Sequence, residues 1–173
     1  MRHVISVLLQ NEVGALTRMT GLFSTRGYNI DSLNVAPTED PATSRVTLVI
    51  EGSDSAIAQL NTQLAKLVDV LNIHDMTLGE HFERELVIIK LKLSTAGFAN
   101  VVKLAKKYGA EILDDAQNSC TVELTGTLAE IDAFVDDAGQ IGMLAAVARS
   151  GSVAVSKGEV TLSSYARHHR LTG

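Results

Sequence analysis

The chain runs to 173 residues, with 46% apolar side chains and a formal net charge of −5. That apolar content can build a core, in one ordinary domain or two small ones, and argues against disorder. The acidic balance, with no basic tract outside a short tail, argues against nonspecific nucleic-acid binding, which needs a clustered positive surface.

The first element spans roughly His3 to Gln10, where V-I-S-V-L-L is an apolar run of strand length. The run is too short for a signal peptide with its cleavage site. No stretch is long enough to span a membrane, so a soluble cytoplasmic protein without a membrane partner is expected. After the turn N-E-V-G, Leu16, Met19, Leu22 and Phe23 recur at helical spacing and predict an amphipathic helix over 15–26. Gly27 ends it, as a left-handed C-terminal residue should. Residues 28–36 alternate through Ile30, Leu33 and Val35 as a second strand, with Asn29 at its start. Both prolines fall in P-T-E-D-P, a loop. Residues 44–51 read as a third strand, 54–68 as a second helix carrying Ile57, Leu60, Leu64, Leu67 and Val68, and Val70 to Met76 as a fourth strand.

The order β-α-β-β-α-β is the ferredoxin-like unit, an antiparallel sheet with two helices on one face. It closes near residue 77, and after G-E-H-F-E-R-E the pattern restarts. Residues 86–93 are strand-like, 98–108 helical with Gly109 as cap, 110–114 and 119–125 strand-like, 128–138 helical, and 143–155 end in a last strand, V-A-V. Cys120, the lone cysteine, sits in the run S-C-T-V-E-L and reads as a small buried hydrophobe; a single thiol gives no disulfide framework and fits a reducing cytosol. The expected fold is therefore α+β, with two ferredoxin-like βαββαβ domains at 1–78 and 85–160, a linker at 79–84 and a polar tail at 161–173.

The repeat is one of architecture, with weak residue identity. Asn11 and Gly14 are three apart, as are Ser94 and Gly97, and Gly27 followed by Asn29 corresponds to Gly109 followed by Glu111. The second copy keeps both glycines and loses both amides. Glycines serve the backbone, whereas amides serve something else, so the first copy is the expected ligand holder. A helix N-terminus leaves N–H groups unpaired and can dock a carboxylate without a basic side chain. Gly14 allows close approach, Asn11 meets either a carboxylate or an ammonium group, and Val13, Ala15 and Leu16 supply an apolar wall. A small zwitterion with an aliphatic side chain suits this chemistry. The same spacing also suits an N-cap asparagine followed by a turn glycine. Asn is disfavoured at a strand start without a local task. A symmetric dimer formed through the bare sheet face or edge strands would bring Asn29 and Ile30 of one subunit to the Asn11–Leu16 loop of the other.

At these residues the chain resembles a known family. N-E-V-G-A-L-T-R and F-S-T-R-G-Y-N-I-D-S-L-N-V-A-P-T-E-D-P resemble the regulatory small subunit of acetohydroxyacid synthase (acetolactate synthase). L-V-D-V-L and R-E-L-V-I-I-K-L extend the likeness, and I-D-A-F and A-R-S-G-S-V-A-V-S-K-G continue it more loosely. The R-G-Y-N-I-D-S-L run is specific, whereas N-x-x-G-x-L is a general mark of ACT domains. The resemblance implies an N-terminal ACT domain that senses an amino acid, followed by a C-terminal ACT-like domain. It implies no chemistry in this chain, a catalytic large subunit as partner, activation of that partner, and feedback inhibition by valine in branched-chain amino acid biosynthesis. Thiamine diphosphate, magnesium and FAD would belong to the partner alone. Carried over residue by residue, the valine site would comprise Asn11, Val13, Gly14, Ala15 and Leu16 of one chain with Asn29 and Ile30 of its dimer mate. The sequence departs from common family members near Tyr108 and at Ala146, both in the second half.

Scattered carboxylates on helix faces, as in D-D-A, read as solvation, so catalysis by this chain is not expected. His3, His74, His81, His168 and His169 match no zinc or nickel spacing. A reading of a different class is a free-standing ACT sensor that regulates a transporter or transcription factor; binding to a catalytic subunit separates the two.

Overall fold

The computed structural model describes residues 1–94, 97–116 and 118–162. Two compact units divide the chain: Met1–Phe82 with the described residues from Ser152 onward, and Glu83–Gly151.

In the first unit, β1 (Arg2–Gln10), α1 (Ala15–Thr25), β2 (Ile30–Pro37), β3 (Thr43–Glu51), α2 (Asp54–Leu64) and β4 (Val70–Asp75) follow in the expected order. The sheet runs β2-β3-β1-β4 and its pairs are antiparallel. β1 lies between β3 and β4, which explains why its sequence is apolar almost without alternation: His3 through Leu9 are all buried. Ile5, Val7 and Leu9 face α1 and α2 and share a core with Met19, Phe23, Val46, Leu48, Ile57, Leu60 and Leu64. α1 ends in a Schellman motif. The N–H of Tyr28 donates to Phe23 O and that of Gly27 to Ser24 O, with Gly27 at φ 72°.

The opposite face of this sheet differs from expectation, because it is not bare. Val4, Val49 and Met76 are buried there with Ala154 as a second small cluster. Ala154 belongs to β9 (Val153–Ser156), which pairs with β5 (His81–Lys92). Asn72 Nδ2 also donates to Leu162 O, and Lys157 pairs with Glu80 at 3.0 Å. Residues 152–162 therefore group with the first unit, although the sequence pattern places them with the second. The segment 79–84, expected as a linker, is strand from His81, because H-F-E-R-E-L alternates into the apolar run that follows. β2 begins at Ile30, so Asn29 precedes the strand. α2 stops at Leu64, before the expected 68. The N–H groups of Lys66 and Leu67 donate three residues back, which tightens the turn and leaves Val68 82% exposed.

The second unit carries the rest of β5, then α3 (Phe98–Tyr108), β6 (Glu111–Ala116), β7 (Ser119–Gly126), α4 (Leu128–Ile141) and β8 (Met143–Arg149), with strand order β6-β7-β5-β8. Val87, Ile89, Leu91, Cys120, Val122, Val101, Ile131 and Phe134 form its core. The chain therefore folds as two α+β units of βαββαβ type. The stretch 143–155, expected to end in one strand, holds two strands, β8 and β9, separated by Gly151 at φ 74°.

Candidate functional site at the first strand–helix junction

β1 ends at Gln10 and α1 starts at Ala15, so residues 11–14 form the junction. Gly14 occupies the N-cap position at φ 85°, a left-handed conformation that side chains disfavour. No side chain caps α1, and its first turn holds no acidic residue. Ser53 caps α2 through Ala56 N, and Thr127 with Glu130 forms a full capping box on α4, whereas α3, like α1, begins at a glycine with no side-chain cap. The start of α1 therefore presents backbone N–H groups and helix-dipole charge without a side chain of its own to meet them.

Asn11 is not the helix cap. Its Nδ2 donates to Pro41 O at 2.9 Å and its backbone N–H to Ala42 O at 2.9 Å, tying the junction to the β2–β3 loop. Asp40 shapes that loop by accepting from Ala42 N at 2.9 Å. Val13 is fully exposed and Leu16 partly so, which leaves both available as an apolar wall. The Ala15 side chain is buried in the core, so its contribution to a ligand is confined to its backbone.

Asn29 and Ile30 lie elsewhere in the same chain. Gln10 pairs with Thr43 at the start of β3, whereas Ile30 pairs with Ile50 at its end. The strand rise puts these points about 23 Å apart. Asn29 is exposed and donates to Asp31 Oδ1 at 3.1 Å. Asn11, Val13, Gly14, Ala15 and Leu16 thus come together, and Asn29 and Ile30 do not join them within one chain.

Two residues of this junction escaped sequence reasoning. Arg18 lies one turn into α1, and an added Cβ on Gly14 would stand 2.7 Å from its Nη1. Arg18 Nε donates to Asp69 Oδ2 at 2.6 Å and Nη2 to Oδ1 at 2.7 Å. The Asp69 carboxylate is 4% exposed, and its backbone carbonyl accepts from Gln10 N at 2.8 Å. The hydrogen bonds from Arg18 hold the Asp69 carboxyl below the usual carboxylate range, and the same bonds raise Arg18. The available signal was Asp69 itself, a lone acid in the apolar run L-V-D-V-L, which requires a partner once buried.

The second junction is built differently. Gly97 has φ −72°, and an added Cβ would stand 3.2 Å from Leu93 Cβ and from Ser94 O. Residues 95–96 lie outside the described residues. At the other end of α3, Tyr108 packs edge-on against Phe134, and both its hydroxyl and Lys107 Nζ donate to Asp137 at 2.7 Å. Arg149 forks onto the buried Glu85 and reaches Asp132 at 2.9 Å. Ala146 is exposed on β8. These contacts hold the second unit together.

Two cavities lie apart from the junction. One of about 550 Å³ is lined by Asn61, Thr62, Ala65, Asn72, Asp75 and neighbours, the other of about 330 Å³ by Asn100, Lys103, Lys107, Asp137 and neighbours. Among the described residues no group of three or more His, Cys, Asp or Glu is placed to hold a metal. His3 is buried between Asp54 and Asp75, 3.4 Å from each, and burial pulls His74 below its ordinary value. His168 and His169 lie outside the described residues. Among those residues, no helix is long and apolar enough to cross a membrane. Cys120 is buried, and desolvation pushes its thiol up.

Comparison with known proteins assigns both halves. Residues 5–80 match the acetohydroxyacid synthase small subunit-like ACT domain, and residues 84–158 match the small subunit of acetolactate synthase. The class is thus a protein of ACT-type units. The chain is 43% identical over 159 residues to the acetolactate synthase isozyme 3 small subunit of Escherichia coli, covering 92% of this chain and 98% of that one. It is 42% identical to the acetolactate synthase small subunit of Haemophilus influenzae, with the same coverage of each. A crystal structure of the acetolactate synthase small subunit from Thermotoga maritima superposes with a TM-score of 0.84 at 28% identity, covering 92% of this chain and 99% of that one. The chain belongs to the acetolactate synthase small-subunit family, and that membership together with the ACT domain supports a regulatory role.

Proposed function

We propose that this protein binds the catalytic large subunit of acetolactate synthase, raises its activity, and makes it sensitive to feedback inhibition by valine. The observation that carries this reading is the start of α1: an uncapped helix end opened by Gly14 at φ 85°, beside exposed Val13 and Leu16. There the carboxylate of an amino acid meets backbone N–H groups, and an aliphatic side chain meets the apolar wall. The reading keeps residues 1–78 as the sensing domain in the cytoplasm. Thiamine diphosphate, magnesium and FAD supply the chemistry in the catalytic partner, and this chain performs no chemical step.

The second half of the site comes from a second copy. β2 is an edge strand of its sheet. Pairing it antiparallel with β2 of another copy, across a twofold axis, would bring the Asn29 end of one strand beside the Pro37 end of the other. The Pro37 end is the one that adjoins Asn11, through Pro41 and Ala42. Such a homodimer puts Asn29 and Ile30 of one chain at the Asn11–Leu16 junction of its mate. Valine bound there would link two chains. It would shift the assembly toward an inhibited state in proportion to its preference for that state, a coupling of about 1–3 kcal/mol.

The test is reconstitution. The purified catalytic subunit is assayed alone, with this chain, and with this chain plus valine. The expected outcome is a rise in acetolactate formation followed by its loss on adding valine. A catalytic subunit indifferent to this chain would overturn the reading and leave the free-standing sensor in its place.

A further inference from the structure

We draw no further inference here: the strongest candidate, the outward face of β9, on which Val153 and Val155 stand exposed while Ala154 between them is buried, carries nothing because the structure does not show what covers it.

Discussion

Gly14 concentrates the argument at the scale of single residues. Its φ of 85° favours glycine, and Arg18 Nη1 lies 2.7 Å from where a Cβ would stand. Under the proposed reading, Gly14→Asp should place a carboxylate at the start of α1, where the effector's carboxylate would dock. The protein should lose some stability yet fold and still activate its partner, while valine sensitivity falls by roughly two orders of magnitude. Inhibition curves measured with the reconstituted enzyme check this, and an unchanged midpoint would remove the site from this junction. Asn11 and Gly14 were legible in the sequence because their neighbours in space are their neighbours in the chain. Arg18 and Asp69 were not, because 51 residues separate them: Asp69 in its apolar run calls for a partner, but the sequence does not say which residue supplies it.

Elements were legible wherever one periodicity held over a full segment. The three turns of α1 and the alternation of β3 followed directly from apolar spacing. Errors fell at ends, where hydrogen bonds decide. α2 closes early because its last N–H groups turn to carbonyls three residues back, and Leu67 continues the apolar pattern without continuing the helix. Helix starts fall into two kinds: α2 and α4 are capped by side chains, whereas α1 and α3 begin at glycines without one. Thr127 caps α4 by accepting from Glu130 N, with Glu130 bonded back to Thr127 N at 2.8 Å. Thr127→Ala should therefore lower stability by about 1 kcal/mol in chemical denaturation and leave valine binding as it was. α1, which has no such cap, offers nothing comparable to remove; its free N–H groups are kept for a ligand in the proposed reading.

For the whole molecule, the proposed site would require Asn29 and Ile30 to reach a junction at the far end of their own sheet. The edge position of β2 makes a second copy the natural answer. A site shared between two chains has a consequence that a site within one chain lacks. Gly14→Asp and Asn29→His chains, each unable to bind valine alone, should recover binding when mixed and allowed to exchange. The heterodimer carries both substitutions in one site and neither in the other. Titration of the mixture should show about one intact site per heterodimer, as the twofold arrangement requires. No recovery after demonstrated exchange would mean that each chain's own site carries its own substitution, and would exclude the shared arrangement. The sheet face opposite the helices buries Val4, Val49 and Met76 with Ala154.

The sequence alone determined the two βαββαβ patterns, the amides retained in the first and lost in the second, and the family resemblance, because each depends on spacing within a few turns or strands. Tertiary structure decided what those residues touch. It placed Asn11 on the β2–β3 loop, left α1 uncapped, set Arg18 over Gly14 on a buried Asp69, and grouped residues 152–162 with the first unit. The physical reason is that burial and charge pairing are satisfied between segments far apart in the chain, and periodicity carries no record of which distant segment supplies the partner.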